Sequence, residues 1–524
     1  MTLQPPAWVA DAVFYQIFPD RFAASERVVK PGSLEAWDSP PTVSGFKGGD
    51  LLGVVEHLDY LVELGVTAIY FNPVFQSASN HRYHTYDYLA VDPLLGGDAA
   101  LRELIDTCHA RGIRVVLDGV FNHASRGFWP FHHVMETGLA SPYRDWFNLN
   151  VERLASGRPL QAYPDESTSS PLNLDLVPDW ARFGRVSLER FGYEAWWDLP
   201  ALPKLNTANP QVREYLFGVA EHWLRFGIDG WRLDVAEEIP EDFWREFRRR
   251  VKTVDPEAFI VAEIWQDRPS ALEGDQYDAL MNYPLAEAVL SFVGGSHLDP
   301  RIVGQHFELA ANIRPEDGPT FARRMEHVMA RYEPQVAAAQ LNLLGSHDTP
   351  RAITVCGGDV ASMRLATLVQ MTVAGAPSIY YGDEIGMAGE HDPGCRGAFP
   401  WGRPDTWRHD LLAFTTGAIA FRRAHPVLRH GTFRIAAAER AAAAYVRAGR
   451  DSSEGAIVVA INAGEEQATL RLQLPELDGC RLTSRRWEGW PADPGAASGD
   501  AVTDGGVDVT IPPRDALVLE VASA

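Results

Sequence analysis

The sequence predicts an α/β protein: a (β/α)8 TIM barrel with an inserted domain after the third strand and a C-terminal antiparallel β-sandwich. Three observations carry this reading. Eight short β-rich runs alternate with helix-length segments over roughly the first 425 residues, as parallel βαβ units do. One long aromatic, Pro-rich stretch interrupts that rhythm. After about residue 430 the pattern changes to short alternating runs with turn signals. The expected division is residues 1–123 and 207–428 for the barrel, 124–206 for the insert and 429–524 for the sandwich.

The predicted barrel strands, in order, begin with AVFYQIFP (12–19), VTAIYFNP (66–73), IRVVLDGVF (113–121) and IDGWRLDVA (228–236). They continue with FIVAEIW (259–265), YDALMNY (277–283), AQLNLLGS (339–346) and PSIYYGDE (377–384). Helical segments lie between most of them, such as DLLGVVEHLDYLVELG (50–65) and DAALRELIDTCHARG (98–112). The insert reads RGFWPFHH at its start and YEAWWDLPALPKLN at its end, too long for a plain connection. In the C-terminal region AIVVAINAG, ATLRLQLPEL and DVTIPPRDALVLEV read as sandwich strands, with an exposed loop at 493–506.

Bulk properties narrow the function. A chain of 524 residues with 46% hydrophobic and 22% charged residues is a globular protein of two or three domains. A net charge of −23 argues against nucleic acid, whose phosphates need clustered Lys and Arg. Cys108, Cys356, Cys395 and Cys480 are scattered and form no CxxC, which reads as reduced thiols and neither a disulfide framework nor a zinc site. The N-terminus lacks a signal-peptide pattern, and no run of about 18 apolar residues occurs, so neither secretion nor membrane anchoring is expected. The expected location is cytoplasmic.

The barrel reading makes a test possible, because catalytic groups in such barrels gather at the C-terminal strand ends. The third run ends in Asp118, Asn122 and His123, and the fourth in Arg232 and Asp234. The fifth ends in Glu263, and the seventh in His347 and Asp348. Any one of these is more readily a structural ion pair, a helix cap or a core histidine. Four apolar runs delivering polar residues at the same end point to one shared pocket.

Three acidic residues in one pocket suit glycosidic bond cleavage, which needs an ionised nucleophile and a protonated acid. Arg232, two residues before Asp234 and on the same face, is expected to depress that carboxyl's pKa and make Asp234 the nucleophile. Apolar Ile264 and Trp265 and the nearby carboxylates are expected to raise Glu263, making it the acid. Asp348 and His347 are candidates for binding sugar hydroxyls. A divalent metal is the other use of such a cluster, and Arg232 argues against it by repulsion. Fifteen Trp and sixteen Tyr could supply sugar-stacking surfaces, although many must be core.

At this point the residues resemble glycoside hydrolase family 13, the α-amylase family, over nearly the whole chain. DGVFNH (118–123), GWRLDVA (230–236), EIW (263–265) and LLGSHD (343–348) resemble its four conserved regions in order. The resemblance implies Asp234 as nucleophile, Glu263 as acid/base and Asp348 as transition-state stabiliser, with His123, Arg232 and His347 contacting the sugar. HRYHTYDY (81–88) resembles the segment that places His81 and Tyr83 at that subsite. GEHDPGCRGAFPW (389–401) resembles the segment that binds the next sugar through Asp392 and Arg396. Asp118 is similar to a buried structural aspartate of the family and is left out of the site.

YEAWW (193–197) and LPKLN (202–206) resemble the neopullulanase, cyclomaltodextrinase and maltogenic amylase group, whose additional N-terminal domain is not expected here because AVFYQIFPDRF begins at residue 12. In the family many amylases bind calcium through a region-one asparagine, here Asn122, and a histidine carbonyl after the nucleophile strand. Here that stretch reads VAEE, with Glu237 where the histidine stands, and the calcium loop of neopullulanase relatives is replaced by AASERVVKPGS (23–33). No cofactor and no required metal are therefore expected. The implied function is a retaining α-glucoside hydrolase acting on α-1,4 linkages of malto-oligosaccharides, cyclodextrins, pullulan or starch, with α-1,6 linkages left open. A transglycosylase or isomerase would use the same triad, and a non-catalytic relative would lack it. The expected partner is an α-glucan oligosaccharide, with no nucleic acid and no membrane, and the protein is a monomer or a homodimer.

Overall fold

A computed structural model describes residues 4–164, 186–449, 455–491 and 501–521. In chain order the first strands are β1 (Phe14–Ile17), β2 (Ala68–Phe71), β3 (Phe75–Ser77), β4 (Thr85–Val91) and β5 (Arg114–Gly119). They are followed by β6 (Gly230–Leu233), β7 (Phe259–Ala262), β8 (Ala279–Leu280), β9 (Leu341–Leu343) and β10 (Ala376–Tyr380). Eight of these form one parallel sheet in the order β8-β7-β6-β5-β2-β1-β10-β9. A parallel bridge between Met281 and Leu341 joins its two ends and closes the barrel. Seven of the eight predicted runs contain one barrel strand, and the eighth, 377–384, overlaps β10, which begins one residue earlier.

The two-residue strand period explains which side chains line the barrel. Phe14, Ala68, Tyr70, Val116, Phe259, Val261, Ala279, Met281, Leu341, Leu343 and Ala376 pack together inside it. The alternate residues, such as Tyr15, Ile69, Leu117, Trp231 and Ile260, join the larger core beneath the surrounding helices. Trp8 plugs the lower end against Phe14 and Phe259, with ring centroids 5.9 Å from each. Continuing the interior parity upward, the next positions are Gln16, Asn72, Asp118, Arg232 and Glu263. Every one is polar, and every one is buried.

The helix before β6 shows how the sequence sets one such strand. Asn209 caps it by accepting a hydrogen bond from the Gln211 N–H, Pro210 fits its first turn, and Gly227 ends it at φ 112°. Its inner face buries Val212, Leu216, Val219, Ala220 and Trp223, and full burial of a large apolar side chain is worth about 1.5–3 kcal/mol. Ile228 and Asp229 then carry the chain straight into β6.

Two excursions build the walls of the barrel mouth. The β3–β4 hairpin carries His81 and Tyr83 in its connecting loop. Between Ala124 and Asn206 the described residues form helices at Trp129–Thr137, Val151–Ala155 and Val186–Arg190. Antiparallel bridges pair His123 with Lys204 and Phe147 with Leu205, which returns the segment to the barrel. Residues 165–185, inside the expected insert, lie outside the described residues.

The C-terminal strands are β11 (Thr432–Glu439), β12 (Ala442–Ala448), β13 (Ala456–Asn462), β14 (Ala468–Gln473), β15 (Leu482–Arg485), β16 (Gly506–Ile511) and β17 (Asp515–Val521). They make an antiparallel sheet, β11-β12-β13-β17-β15, and a second pair, β14-β16. Ala444, Val446, Val458, Ala460, Leu517 and Leu519 face the second sheet, whereas Tyr445, Ile457, Val459, Ile461 and Val518 face the barrel core. Burial on both faces explains why β13 reads as an unbroken apolar run. Most of the loop expected at 493–506 lies outside the described residues; Thr503 and Gly506 at its end form a tight antiparallel bridge. No helix among the described residues is long and apolar enough to cross a membrane.

Candidate active site

The site is built around Arg232, fully buried at the top of β6. Its Nη1 donates to both oxygens of Asp118 (2.9 and 2.8 Å) and to Asp234 Oδ1 at 2.9 Å. Its Nη2 lies 2.9 Å from Glu263 Oε2. The sheet register dictates this arrangement: Asp118 of β5 is the direct neighbour of Arg232, and Arg232 of Val261, two residues before Glu263. Asp234 follows the last residue of β6 on the same face.

The chain turns sharply just past Asp234. Val235 has φ 39° and ψ 49°, a left-handed conformation that costs a β-branched residue roughly 1–3 kcal/mol. This turn aims the Val235 N–H at Glu263 Oε2, 3.0 Å away. One side of the acid is thus held by Arg232 and by a strained backbone amide.

Tyr83 is the second hub. Its hydroxyl donates to Asp118 Oδ2 at 2.8 Å and accepts from Asn72 Nδ2 at 3.0 Å. The Gln16 amide donates to Asn72 Oδ1 (3.1 Å) and to His347 Nδ1 (3.0 Å). His347 Nδ1 is therefore an acceptor, and the neutral ring carries its proton on Nε2. That proton faces Tyr83 Oη at 2.8 Å and Asp348 Oδ2 at 3.1 Å. The Tyr83 and His347 rings stack at 5.3 Å and 8°.

Asp348 is less enclosed than the other two acids, with its side chain 31% exposed. Arg396 Nη2 lies 3.3 Å from it, and Arg396 Nη1 lies 3.2 Å from Asp392. Arg396 Nε also donates to the His347 carbonyl at 2.9 Å, fixing the loop that carries Asp348. His81 stands beside Tyr83 with centroids 5.7 Å apart, and its Nδ1 accepts the Tyr83 N–H at 3.2 Å. His123 lies flat against Trp196 at 5.0 Å and 11°, and its buried Nε2 has no protein partner. The left-handed backbone at Trp197 (φ 52°) and Asp198 (φ 53°) turns the chain directly after Trp196.

Electrostatics correct one expectation. Asp234 is raised well above the usual carboxylate range, chiefly by burial; Arg232 opposes this, and Glu263, Asp118 and Asp348 add to it. Arg232 does not depress Asp234 outright because burial outweighs it, and because the same guanidinium also serves Asp118 and Glu263. Asp118 is raised by burial for the same reason. Asp348 is pushed up to about 7, first by burial and then by Glu263, with Arg396 and Arg232 pulling the other way. Burial lowers His81 and His347 well below the usual range and His123 to about 3, so all three rings are neutral near pH 7.

Sequence reasoning left out Asp118, Gln16, Asn72, Tyr70 and Val235. Tyr70 also donates to Asp118 Oδ2, at 3.1 Å. The interior parity of β1, β2 and β5 would have found Gln16, Asn72 and Asp118, since each is a polar residue at a position where the strand body is apolar; Tyr70 reads as core. The strain at Val235 left no signal in residue type.

The Asn122 amide nitrogen lies 3.3 Å from His123 Nδ1, and Glu237, in the short turn after β6, is exposed. In the segment 23–33 the Lys30 ammonium and the Ser25 N–H both engage Asp50 Oδ2, at 3.0 and 2.9 Å, which ties that segment to the start of the following helix. Among the described residues no group of three His, Cys, Asp or Glu is placed to hold a metal.

Comparison with known proteins gives a consistent picture. The family model described as α-amylase, catalytic domain, matches residues 16–453. A cyclomaltodextrinase of Geobacillus thermopakistaniensis is 42% identical over 473 residues, covering 90% of this chain and 72% of its own length. A crystal structure of a Thermus thermophilus protein superimposes with a TM-score of 0.85 at 43% identity, covering 98% of this chain and all of that one. A debranching enzyme of Nostoc punctiforme gives a TM-score of 0.81 at 40% identity, covering 99% of this chain and all of its own.

Proposed function

The chain belongs to the α-amylase family, and from that premise we propose which residues perform its reaction and on which glucans. It is a glycosidase, an α-glucoside hydrolase of the retaining kind. One observation carries the assignment of roles: Asp234 and Glu263 lie within 2.9 Å of a single guanidinium. Sharing one cation keeps the two carboxyls close, as the double-displacement route requires at about 5–5.5 Å.

Asp234 attacks the anomeric carbon while Glu263 gives a proton to the departing glycosidic oxygen. The covalent glycosyl-enzyme is then opened by water, with Glu263 taking the proton back. Arg232 stabilises the ionised form of Asp234 against the burial that opposes it. Asp348 and His347 hold sugar hydroxyls at the reacting ring, and His123 Nε2, buried without a protein partner, donates or accepts one more. Tyr83 offers its ring as the stacking floor beside His81. Arg396 and Asp392, paired at 3.2 Å, receive the neighbouring sugar.

The substrates we propose are malto-oligosaccharides, cyclomaltodextrins and branched α-glucans, since relatives at about 40% identity are named a cyclomaltodextrinase and a debranching enzyme. A cytoplasmic location is supported by the four cysteines, all free and three of them buried. Chromatographic analysis of products from maltotriose, a cyclodextrin, pullulan, panose and starch tests the reading and separates hydrolysis from transfer. Glucose or maltose should appear first as the α-anomer, and Asp234→Asn should lose roughly 10⁴-fold or more in kcat. Near wild-type turnover by that variant would remove Asp234 from its role, and no glucose or maltose from any substrate would end the hydrolase reading.

A further inference from the structure

Residues 23–50 run over the barrel mouth without a regular element, and most of 29–45 is exposed. Such a stretch has no hydrophobic core of its own, so something else must hold its shape. Inside it lies Lys47, 3% exposed. Its Nζ donates to the carbonyls of Ala36 (2.6 Å) and Ser39 (2.7 Å) and to Ser39 Oγ (2.5 Å). Glu35 Oε2, 3.4 Å away, supplies the counter-charge. Three N–H donors meet three oxygens with a carboxylate beside them, which is a cation-binding cage whose cation is part of the chain.

The cage is tied to the sugar-binding wall. Val43 O and Gly45 O, in the loop that the ammonium organises, accept from Asn80 Nδ2 at 2.9 and 2.8 Å. Asn80 is 3% exposed, immediately precedes His81, and has its own carbonyl held by Arg82 Nη1 at 2.7 Å. Arg82 has a left-handed backbone (φ 61°), so the bend that presents His81 and Tyr83 is strained and needs outside support. At the other end, the Lys47 and Gly48 N–H groups bind Asp20 at 2.8 and 3.1 Å, anchoring the cage to the turn after β1.

We infer that Lys47 is a positioning residue: its ammonium is the resident cation of the 35–47 loop and, through Asn80, fixes the wall that carries His81 and Tyr83. The inference rests on the assignment of those two residues to the sugar subsite. A tetrahedral ammonium suits the cage and a planar guanidinium does not, so arginine is no substitute here.

The experiment uses the full-length enzyme with Lys47→Ala, Lys47→Arg and Asn80→Ala. It follows kcat and KM on p-nitrophenyl α-maltoside together with the rate of proteolytic cleavage within 31–45. Lys47→Ala and Lys47→Arg should each lose about 10²-fold in kcat/KM, the scale of a sub-ångström to 1 Å displacement of binding groups, and should be cut faster in the loop. Propylammonium, which can refill the cage with three N–H donors, should restore both readouts in Lys47→Ala; tetramethylammonium, which has none, should restore neither. Asn80→Ala should reproduce the kinetic loss with the cage intact, and it carries the test if the Lys47 variants do not fold. Equal rescue by both amines, or no change in either readout, overturns the inference. Loop protection that responds to propylammonium while kcat/KM stays at the wild-type value overturns the link to His81 and Tyr83 and leaves the hydrolase assignment untouched.

Discussion

Arg232 Nη1 lies 2.9 Å from Asp234 Oδ1, and the same guanidinium binds Asp118 at 2.8 Å and Glu263 at 2.9 Å. One cation therefore answers three buried carboxyls. Such a cluster favours retaining a proton, because two uncompensated charges in a low-dielectric pocket are costly. Protonation of the free enzyme is thus set first by burial and then by how these residues share Arg232.

Replacing Asp118 by Asn should make Asp234 easier to ionise. The change removes one of the negative charges that raise Asp234 and releases Arg232 to serve it more fully. Because the attacking carboxylate must be ionised, the acid limb of kcat/KM should move down by about one pH unit. A pH profile on p-nitrophenyl α-maltoside checks this, and a limb that stays in place or moves up contradicts the shared-cation account.

Tyr83→Phe keeps the stacked ring and deletes the hydroxyl that joins Asp118, Asn72 and His347. The expected result is a fall of about 10²-fold in kcat with a small change in KM, since the sugar floor remains and its alignment does not. Steady-state kinetics on the same substrate decide it. Wild-type kcat would mean the hydroxyl is not a hub.

Val235→Gly should relieve the left-handed strain at φ 39°. The relief of roughly 1–3 kcal/mol exceeds the extra unfolded-state freedom of glycine, about 0.5–1 kcal/mol, so stability in urea should rise by about 1 kcal/mol. Turnover should fall, because the N–H that restrains Glu263 is no longer rigidly aimed. A destabilised variant would show that the turn is not strained.

Glu287 is 7% exposed and is the one charged residue of the apolar helix Tyr283–Gly294. Burial lifts it to about 7, with the Asn312 hydrogen bond and Arg324 opposing. Its folded-state value is thus above its unfolded one. The stability it contributes is complete below about 4.5 and is lost as pH rises through about 7. Glu287→Gln should remove this dependence and gain up to about 3 kcal/mol over the wild type by pH 8. Urea unfolding at several pH values measures it, and a difference that does not grow with pH would refute the buried-acid account.

Much of the fold was legible because parallel strands buried on both faces are short, apolar and β-branched, and all eight barrel runs could be read from that pattern. The site was legible where polar residues broke those runs at their ends: Arg232, Asp234, Glu263, His347 and Asp348. The hubs Gln16 and Asn72 stand out by the interior parity of β1 and β2, but a single amide at a strand end names no chemistry until its neighbours are known, so they escaped notice.

The sequence by itself determined the barrel, the parity of its strands and the types of residue delivered to its mouth, since these follow from local periodicity. Tertiary structure alone decided how deeply Asp234 is buried and how one arginine is divided among three carboxyls, and therefore that Asp234 is raised and not depressed. Charge sharing depends on distances across β5, β6 and β7, strands separated by more than a hundred residues from first to last. Lys47 makes the same point: its sequence neighbours give no hint of its role, and only the folded loop surrounds its ammonium with oxygen atoms.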